Sequence, residues 1–305
     1  MNNLKEDLIQ LGIPEEQILE NESMAKHISF RVGGNADFYV TCNNARELAR
    51  LLQYLTKQEI PHMLIGNGSN LLFRDSGYRG VIIHLDGEFQ DCQISGTTLT
   101  AGSGKLLSGT ASVATKSGLA GMEFASGIPG SLGGAIYMNA GAYGGEMKDI
   151  VRRVHLMAGD GSREYAKSLE EMDFGYRHSR IQDTGEIVTK VELELTEDNP
   201  EAIQARVAEL TEKRVSKQPV NYPSAGSTFK RPVGGYAAAL IQDAGLKGTS
   251  VGGAEVSEKH SGFIINKGGA TATDVLQLME RVEEKVYEMS GIRLEPEVRI
   301  IGEEE

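Results

Sequence analysis

The sequence predicts an α+β protein, built as two lobes followed by a smaller α/β domain. Three observations carry this. The chain has 305 residues, 40% of them hydrophobic and 24% charged, which is enough for two or three domains with real cores. Apolar residues repeat at strand, then helix, then strand spacing over the first ninety residues, after which strands dominate up to Asn199 and helices return beyond it. Finally, two glycine-rich stretches with no charge except Glu123 interrupt these patterns where a ligand wall would lie.

Each element follows in order. After a short N-terminal helix, Ile28 to Thr41 reads as a turn at Gly33-Gly34 and an alternating strand. Asn44 and Glu47 form a capping-box pattern ahead of Leu48, Leu51, Leu52 and Leu55, which share one helical face. Strands follow at Pro61 to Ile65 and Gly80 to Leu85, closing a first lobe over residues 1–88. Cys92 to Ser95, Leu99 to Ala101, Val151 to Met157 and Ile187 to Leu195 read as strands of a second lobe, residues 89–198, with a helix from about Lys105 to Ser117. Asn199-Pro200-Glu201 is a strong helix start, a cap residue followed by proline at the first helical position, and that helix runs to about Val215. A third unit, residues 199–290, adds helices near Tyr236 to Ala244 and Asp274 to Met289 and a strand near Gly262 to Asn266. A last strand, Arg293 to Ile301, belongs to a C-terminal segment, residues 291–305, expected to return to the active site and to end in a solvated Glu303-Glu304-Glu305.

Between Gly121 and Gly145 there are eight glycines, and Glu123 carries the only charge. Glycine surrenders more conformational freedom on folding than any other residue, so this density marks left-handed turns or close approach of a ligand to bare N–H groups. Leu132, Ile136, Tyr137 and Met138 make the stretch too apolar for a flexible linker. The alternative is a set of tight turns between core strands. A second segment, I-G-N-G-S-N-L-L-F from Ile65 to Phe73, leads a strand into Gly66, Gly68, Ser69 and Asn70, the composition of an anion cradle. Neither G-x-G-x-x-G opening a helix nor G-x-x-x-x-G-K-[ST] occurs, so a dinucleotide needs some other fold.

The net charge of −12 argues against a general nucleic-acid binder. No apolar run approaches the roughly 20 residues of a bilayer span, and M-N-N-L-K-E-D-L lacks a signal-peptide core, so a cytoplasmic protein is expected. Cys42 and Cys92 are solitary and the six histidines form no ligand pattern, so reduced thiols and no metal are expected.

The pair I-G-N-G-S-N-L-L and G-I-P-G-S-L-G-G-A-I-Y-M-N-A-G-A resembles the FAD-binding domain of the vanillyl-alcohol-oxidase type. With Gly175-Tyr176-Arg177, A-G-S-T-F-K from Ala225 to Lys230 and L-E-P-E-V-R from Leu294 to Arg299, the likeness covers nearly the whole chain and narrows to the UDP-N-acetylenolpyruvoylglucosamine reductase (MurB) family of peptidoglycan precursor synthesis. The resemblance implies a two-lobed FAD-binding domain, with the flavin between the lobes, and a smaller α/β substrate-binding domain. It implies FAD, and NADPH as hydride donor to UDP-N-acetylglucosamine enolpyruvate, giving UDP-N-acetylmuramate. FAD contacts are then expected from Gly66, Asn67, Gly68, Ser69, Asn70 and Leu71, from Gly127, Ile128, Pro129, Gly130, Ser131, Gly133, Gly134, Ala135, Asn139 and Gly141, and from Val188. No histidine or cysteine lies in either glycine-rich segment, so the flavin is expected to be non-covalent.

Hydride delivery to the methylene of an enol ether of pyruvate pushes charge onto the adjacent carbon and carboxylate. The transition state resembles an enolate, and preorganised donors and a proton source must meet it. By resemblance Arg177 stabilises the enolate, a task suited to a guanidinium that stays charged when enclosed; otherwise it is an ion-pair arginine in the run Arg177-His178-Ser179-Arg180. Ser227 is the implied proton donor, against a turn or cap serine. Glu297 is the implied second catalytic residue, against a plain salt-bridge face on a strand shared by Glu295, Glu297 and Arg299. Lys213, Arg214, Lys217, Lys230 and Arg231 cluster in sequence and are candidates for the substrate diphosphate, Lys217, Lys230 and Arg231 foremost, with Tyr176 beside Arg177 as a further substrate contact. The larger subtype of the family carries an extra loop with a substrate-covering tyrosine; no such insertion lies between Val191 and Asn199, so the shorter subtype is expected. Two other functions compete: a flavin-linked alcohol oxidase of the same domain type, and a non-catalytic flavin-binding module.

Overall fold

A computed structural model describes residues 3–303. The chain divides into two compact units: residues 1–20, 38–67 and 80–212 form the first, and residues 21–37, 68–79 and 213–305 the second. Helices and sheets are mixed in both, an α+β architecture.

In the first unit the helix Ala45–Lys57 starts as its cap residues dictate. Asn44 Oδ1 accepts the Glu47 N–H at 3.0 Å, while Glu47 Oε2 accepts the N–H of Asn43 at 2.7 Å, one residue earlier than the usual box. Leu48, Leu51, Leu52 and Leu55 are fully buried. They pack with Leu4 and Leu8 of the helix Leu4–Gln10 and with Val81, Ile83 and Leu85 of the strand Tyr78–Leu85. Each buried leucine contributes about 1.5–3 kcal/mol, so this one face accounts for much of the lobe's cohesion. The sheet behind it has the order Ile18–Ser23, Asn35–Cys42, Tyr78–Leu85, His62–Ile65, the last two parallel with His62 opposite Val81.

A second core of the same unit lies on a five-stranded antiparallel sheet, in the order Glu164–Ser168, Val151–Met157, Ile187–Glu194, Thr98–Gly102, Cys92–Ser95. Val154 pairs with Val191, and Val191 with Ala101, all three buried. The edge strand Glu164–Ser168 was not foreseen: E-Y-A-K-S has no apolar alternation because an edge has little to bury. The helices Leu107–Lys116 and Leu132–Tyr137 pack on this core through Leu107, Ala111, Ala114, Leu132 and Ile136. The helix Pro200–Lys217 begins where Asn199 Oδ1 accepts the Glu201 and Ala202 N–H groups at 2.8 and 3.3 Å. Arg206 ties its first half to Glu123 and Asp198 at 2.7 and 2.6 Å.

The second unit is built on the helix Ala272–Ser290, capped by a Thr271/Asp274 box and ended by Gly291 at φ 70°. Val275, Leu278, Val282 and Val286 are its buried stripe. Beside it run the helix Ala237–Asp243 and a three-stranded sheet, Ser250–Val251, Ala254–Val256, Ile264–Asn266, whose first two strands were too short to show a period.

The C-terminal strand corrects the sequence reading. Arg299–Ile301 alone is strand, parallel to Leu71–Phe73, while Leu294 to Val298 is irregular apart from a bridge between Phe229 and Pro296. Pro296 has no N–H to donate to a ladder, so Glu295, Glu297 and Arg299 do not form one strand face. Of the acidic tail, Glu304 and Glu305 lie outside the described residues. No described helix is long and apolar enough to cross a membrane.

Candidate active site

The two glycine-rich segments meet in the first unit. The strand His62–Ile65 delivers Gly66 against Ser131, so close that a Cβ at Gly66 would sit 2.1 Å from Ser131 Oγ. The Asn67 amide donates to the Pro129 carbonyl. From the other side Gly133 and Leu132 donate to the carbonyls of Ser103 and Lys105, both at 2.8 Å, and Leu107 donates to Gly130 at 2.9 Å. Ser131 Oγ also accepts the Gly134 N–H at 3.2 Å, capping the helix Leu132–Tyr137.

Several of these glycines answer to protein packing, where the sequence reading looked to a ligand. A Cβ at Gly141 would meet the Gly145 carbonyl at 2.7 Å, and one at Gly145 the Phe124 ring at 2.7 Å. Ala135 and Val188 are buried in the core and Ile128 packs against it, while Gly127 lies in the turn before them. The segment Gly102-Ser103-Gly104 belongs to the same construction and was missed. Its signal is the doubled glycine: a Cβ at Gly102 would strike the Phe89 carbonyl at 2.3 Å, and one at Gly104 the Leu85 carbonyl at 2.4 Å. What remains is a stretch of backbone stripped of side chains and walled by small residues. That is the donor set a flavin nucleotide requires, so these residues fit the group.

In the second unit, Gly68 at φ 59° approaches His27 so closely that a Cβ would lie 2.3 Å from its carbonyl, and Gly68 accepts the Ser29 N–H at 3.2 Å. Ser69 follows in the turn, and Leu71 opens the strand Leu71–Phe73. Asn70 is engaged with the C-terminal segment. Its amide donates to the Glu297 carbonyl at 3.0 Å, and its own carbonyl accepts the Arg299 N–H at 3.0 Å.

Arg177 lies in a tight turn with left-handed backbone. Gly175 and His178 exchange hydrogen bonds at 3.0 and 3.3 Å around Tyr176 and Arg177, and Arg177 takes φ 55°. A bulky residue there costs about 1–3 kcal/mol, which the surroundings must offset. Asn139, itself left-handed at φ 41° and 1% exposed, donates to the Gly175 carbonyl at 2.9 Å and to Glu146 at 2.7 Å, while its Oδ1 accepts the Lys148 N–H at 3.0 Å. Its side chain therefore serves this turn. The Arg177 guanidinium carbon stands 5.0 Å from the centre of the exposed Tyr176 ring. Its neighbour Arg180 is committed elsewhere, to Glu186 at 3.0 Å. Burial pushes the Glu186 carboxyl up, but hydrogen bonds from Tyr165, Thr184 and Arg180 more than compensate and hold it below the usual range. The Tyr165 hydroxyl is pushed up to about 12 by burial and by that carboxylate.

Ser227 and Glu297 come together around one buried residue. Thr228, 2% exposed, accepts the Glu297 N–H at 2.8 Å with its carbonyl, donates its own N–H to Gly262 at 2.8 Å, and accepts the Ile264 N–H on its hydroxyl at 3.1 Å. The chain enters this position through Gly226 at φ 77°, where a Cβ would find nothing within 4 Å, so space is open beside the exposed Ser227. Behind Gly262, His260 accepts its N–H at 3.2 Å, and burial holds this imidazole below its ordinary pKa.

The basic candidates are placed less uniformly. Lys230 donates its N–H to the Glu295 carbonyl at 2.8 Å and pairs with the Glu295 carboxylate at 3.3 Å. Arg231 lies over the Tyr236 ring at 4.1 Å. Lys213, Arg214 and Lys217 end the helix Pro200–Lys217, where cations also complement the helix dipole.

Comparison with known proteins accounts for both regions. Residues 36–165 match the model of an FAD binding domain, and residues 218–301 that of the UDP-N-acetylenolpyruvoylglucosamine reductase C-terminal domain. The chain is 49% identical over 292 residues to the UDP-N-acetylenolpyruvoylglucosamine reductase of Clostridioides difficile (strain 630), covering 96% of each. It is 48% identical over 297 residues to that of Caldanaerobacter subterraneus subsp. tengcongensis, covering 97% of this chain and 98% of the relative. The crystal structure of UDP-N-acetylenolpyruvylglucosamine reductase (MurB) from Thermus caldophilus superposes with a TM-score of 0.81 at 38% identity, over 93% of this chain and 97% of that one. With its two glycine-rich segments and its Ser227 and Glu297 segments each falling within a matched region, the chain belongs to the UDP-N-acetylenolpyruvoylglucosamine reductase family.

Proposed function

We propose that the chain reduces UDP-N-acetylglucosamine enolpyruvate to UDP-N-acetylmuramate with NADPH, in the cytoplasm, as a step of peptidoglycan precursor synthesis. The observation that carries this reading is the backbone bond from Glu297 to Thr228, the residue that follows Ser227, next to the open space at Gly226. When bound, FAD would supply the redox chemistry that carries a hydride from NADPH to the enolpyruvyl methylene. Gly66 to Leu71, Gly127 to Ser131, Gly133 to Ala135, Asn139, Gly141 and Val188 would hold the cofactor. Arg177 holds the substrate carboxylate and stabilises the enolate charge that grows there. Ser227 Oγ gives its proton to the carbanionic carbon, and Glu297 acts as the second catalytic residue near the enolate or a water that relays protons. Residues 199–290 serve as the substrate domain, where Lys217, Lys230 and Arg231 meet the diphosphate and Tyr176 packs on the substrate.

The half-reactions test this. Flavin reduction by NADPH needs no proton delivered to carbon, whereas reoxidation by the enolpyruvyl substrate does. Ser227→Ala is expected to keep flavin reduction within roughly tenfold of wild type and to slow substrate-driven reoxidation about a hundredfold or more in single-turnover absorbance. If both fall together, Ser227 is not the proton donor. If substrate fails to reoxidise the wild-type flavin, the function itself is wrong.

A further inference from the structure

Arg177 holds a positive φ of 55° that an arginine does not adopt unaided, and such a conformation persists only where the surroundings over-determine it. Side-chain hydrogen bonds do so. Gln182 Nε2 donates to the Arg177 carbonyl at 3.0 Å and to the Tyr137 carbonyl at 2.7 Å. Ser179 Oγ, fully buried, donates to the same Tyr137 carbonyl at 2.8 Å, and Asn139 holds the Gly175 end of the turn at 2.9 Å. Of these side chains Gln182 alone takes the Arg177 carbonyl, on the peptide whose N–H His178 donates to Gly175 at 3.3 Å, and it ties that peptide to the end of the helix Leu132–Tyr137.

We infer that Gln182 is a positioning residue for the reduction: its side-chain amide locks the Arg177 peptide in the left-handed conformation and so fixes the point from which the guanidinium reaches the substrate carboxylate. This rests on the role proposed for Arg177. Both hydrogens of the amide are used, so the lock needs a donor; an acceptor would face two carbonyl oxygens and push the turn open. Without the lock the turn relaxes toward an ordinary φ and carries the root of the side chain with it. A displacement of about 1 Å at a positioned group slows a reaction by as much as a hundredfold.

The test uses the holoenzyme and four variants. Gln182→Leu, nearly the same size but without donors, is expected to retain its FAD and to be reduced by NADPH within about twofold of wild type, while substrate-driven reoxidation slows roughly ten- to a hundredfold. Gln182→Lys restores a donor and is expected to recover most of that rate. Adding Gln182→Leu to Arg177→Lys is expected to cost less than about threefold more, because residues acting through one another are not additive. Slow reoxidation in Arg177→Lys with a wild-type rate in Gln182→Leu overturns the positioning role alone. A wild-type rate in Arg177→Lys overturns the reading of Arg177, and this inference with it. Equal loss in both half-reactions, or loss of FAD from Gln182→Leu without rescue by Gln182→Lys, makes Gln182 a structural residue and overturns the inference.

Discussion

At Gly66 and Gly109 the same residue type does opposite work. Gly66 closes on Ser131 with no room for a Cβ, while Gly109 sits in the helix Leu107–Lys116 with its nearest Cβ contact a loose 3.7 Å to Leu106. Gly66→Ala must therefore push apart the two segments proposed to hold the flavin, at a cost of about 1–3 kcal/mol. Gly109→Ala should instead stabilise the helix by about 0.5–1 kcal/mol. Chemical denaturation read beside the flavin absorbance of the purified proteins checks both. We expect a lower midpoint and reduced flavin content for Gly66→Ala, and a midpoint raised or unchanged with full flavin for Gly109→Ala.

Among the elements, the helix Ala272–Ser290 shows how a few polar atoms set a boundary. Asp274 is held below the usual carboxylate range, first by the Thr271 backbone N–H and further by Gly253 and the Thr271 hydroxyl, against a smaller opposing effect of burial. A folded pKa depressed below the unfolded one stabilises the fold above the unfolded value, and the gain is lost as the pH falls through the folded value. Asp274→Asn should therefore lower the urea midpoint at pH 7, and the gap to wild type should close below about pH 4. A gap that persists unchanged at pH 3 would mean that the carboxylate charge plays no part. Thr271→Ala, which removes the other half of the box, should cost about 1 kcal/mol at pH 7 and thermal denaturation should show it. The short link through Asn70 works at the same scale. Asn70→Ala should loosen the Glu297 backbone and depress substrate-driven reoxidation more than flavin reduction, whereas a primary flavin ligand would show first in FAD content.

For the molecule as a whole, the proposed cofactor contacts are made by backbone and small side chains, and neither glycine-rich segment offers a histidine or cysteine for a covalent link. Acid precipitation of the yellow protein should leave the colour in the supernatant; flavin in the pellet would contradict non-covalent binding. Acid also reaches carboxylates spread through the first unit. Glu123 and Glu186, buried enough to be pushed up, are held down instead by hydrogen bonds that include Arg206 and Arg180, and Glu192 is held down chiefly by His155. These contribute stability above the usual carboxylate range that is lost below it, so acid unfolding should set in below about pH 4 as a loss of far-ultraviolet ellipticity.

Local chemistry made much of this protein legible in its sequence. The leucine face at Leu48 to Leu55, the Asn199-Pro200 start and the central strands Val151–Met157 and Ile187–Glu194 each carry their periodicity or cap within a few residues, and all formed within a residue or two of expectation. The glycine-rich segments and the Arg177, Ser227 and Glu297 motifs were likewise legible as residues in order, and they led to the right family. Only the tertiary structure decided what those residues touch. That Asn139 serves the Arg177 turn, that Gln182 ties this turn to Tyr137, that Asn70 grips Glu297, and that Gly66 yields to Ser131 all depend on contacts between positions tens to hundreds of residues apart, for which no local pattern exists. The same reason hid the polar edge strand Glu164–Ser168 and shortened the C-terminal strand. An edge needs no apolar alternation, and Pro296 withholds a donor that period-2 spacing alone does not register.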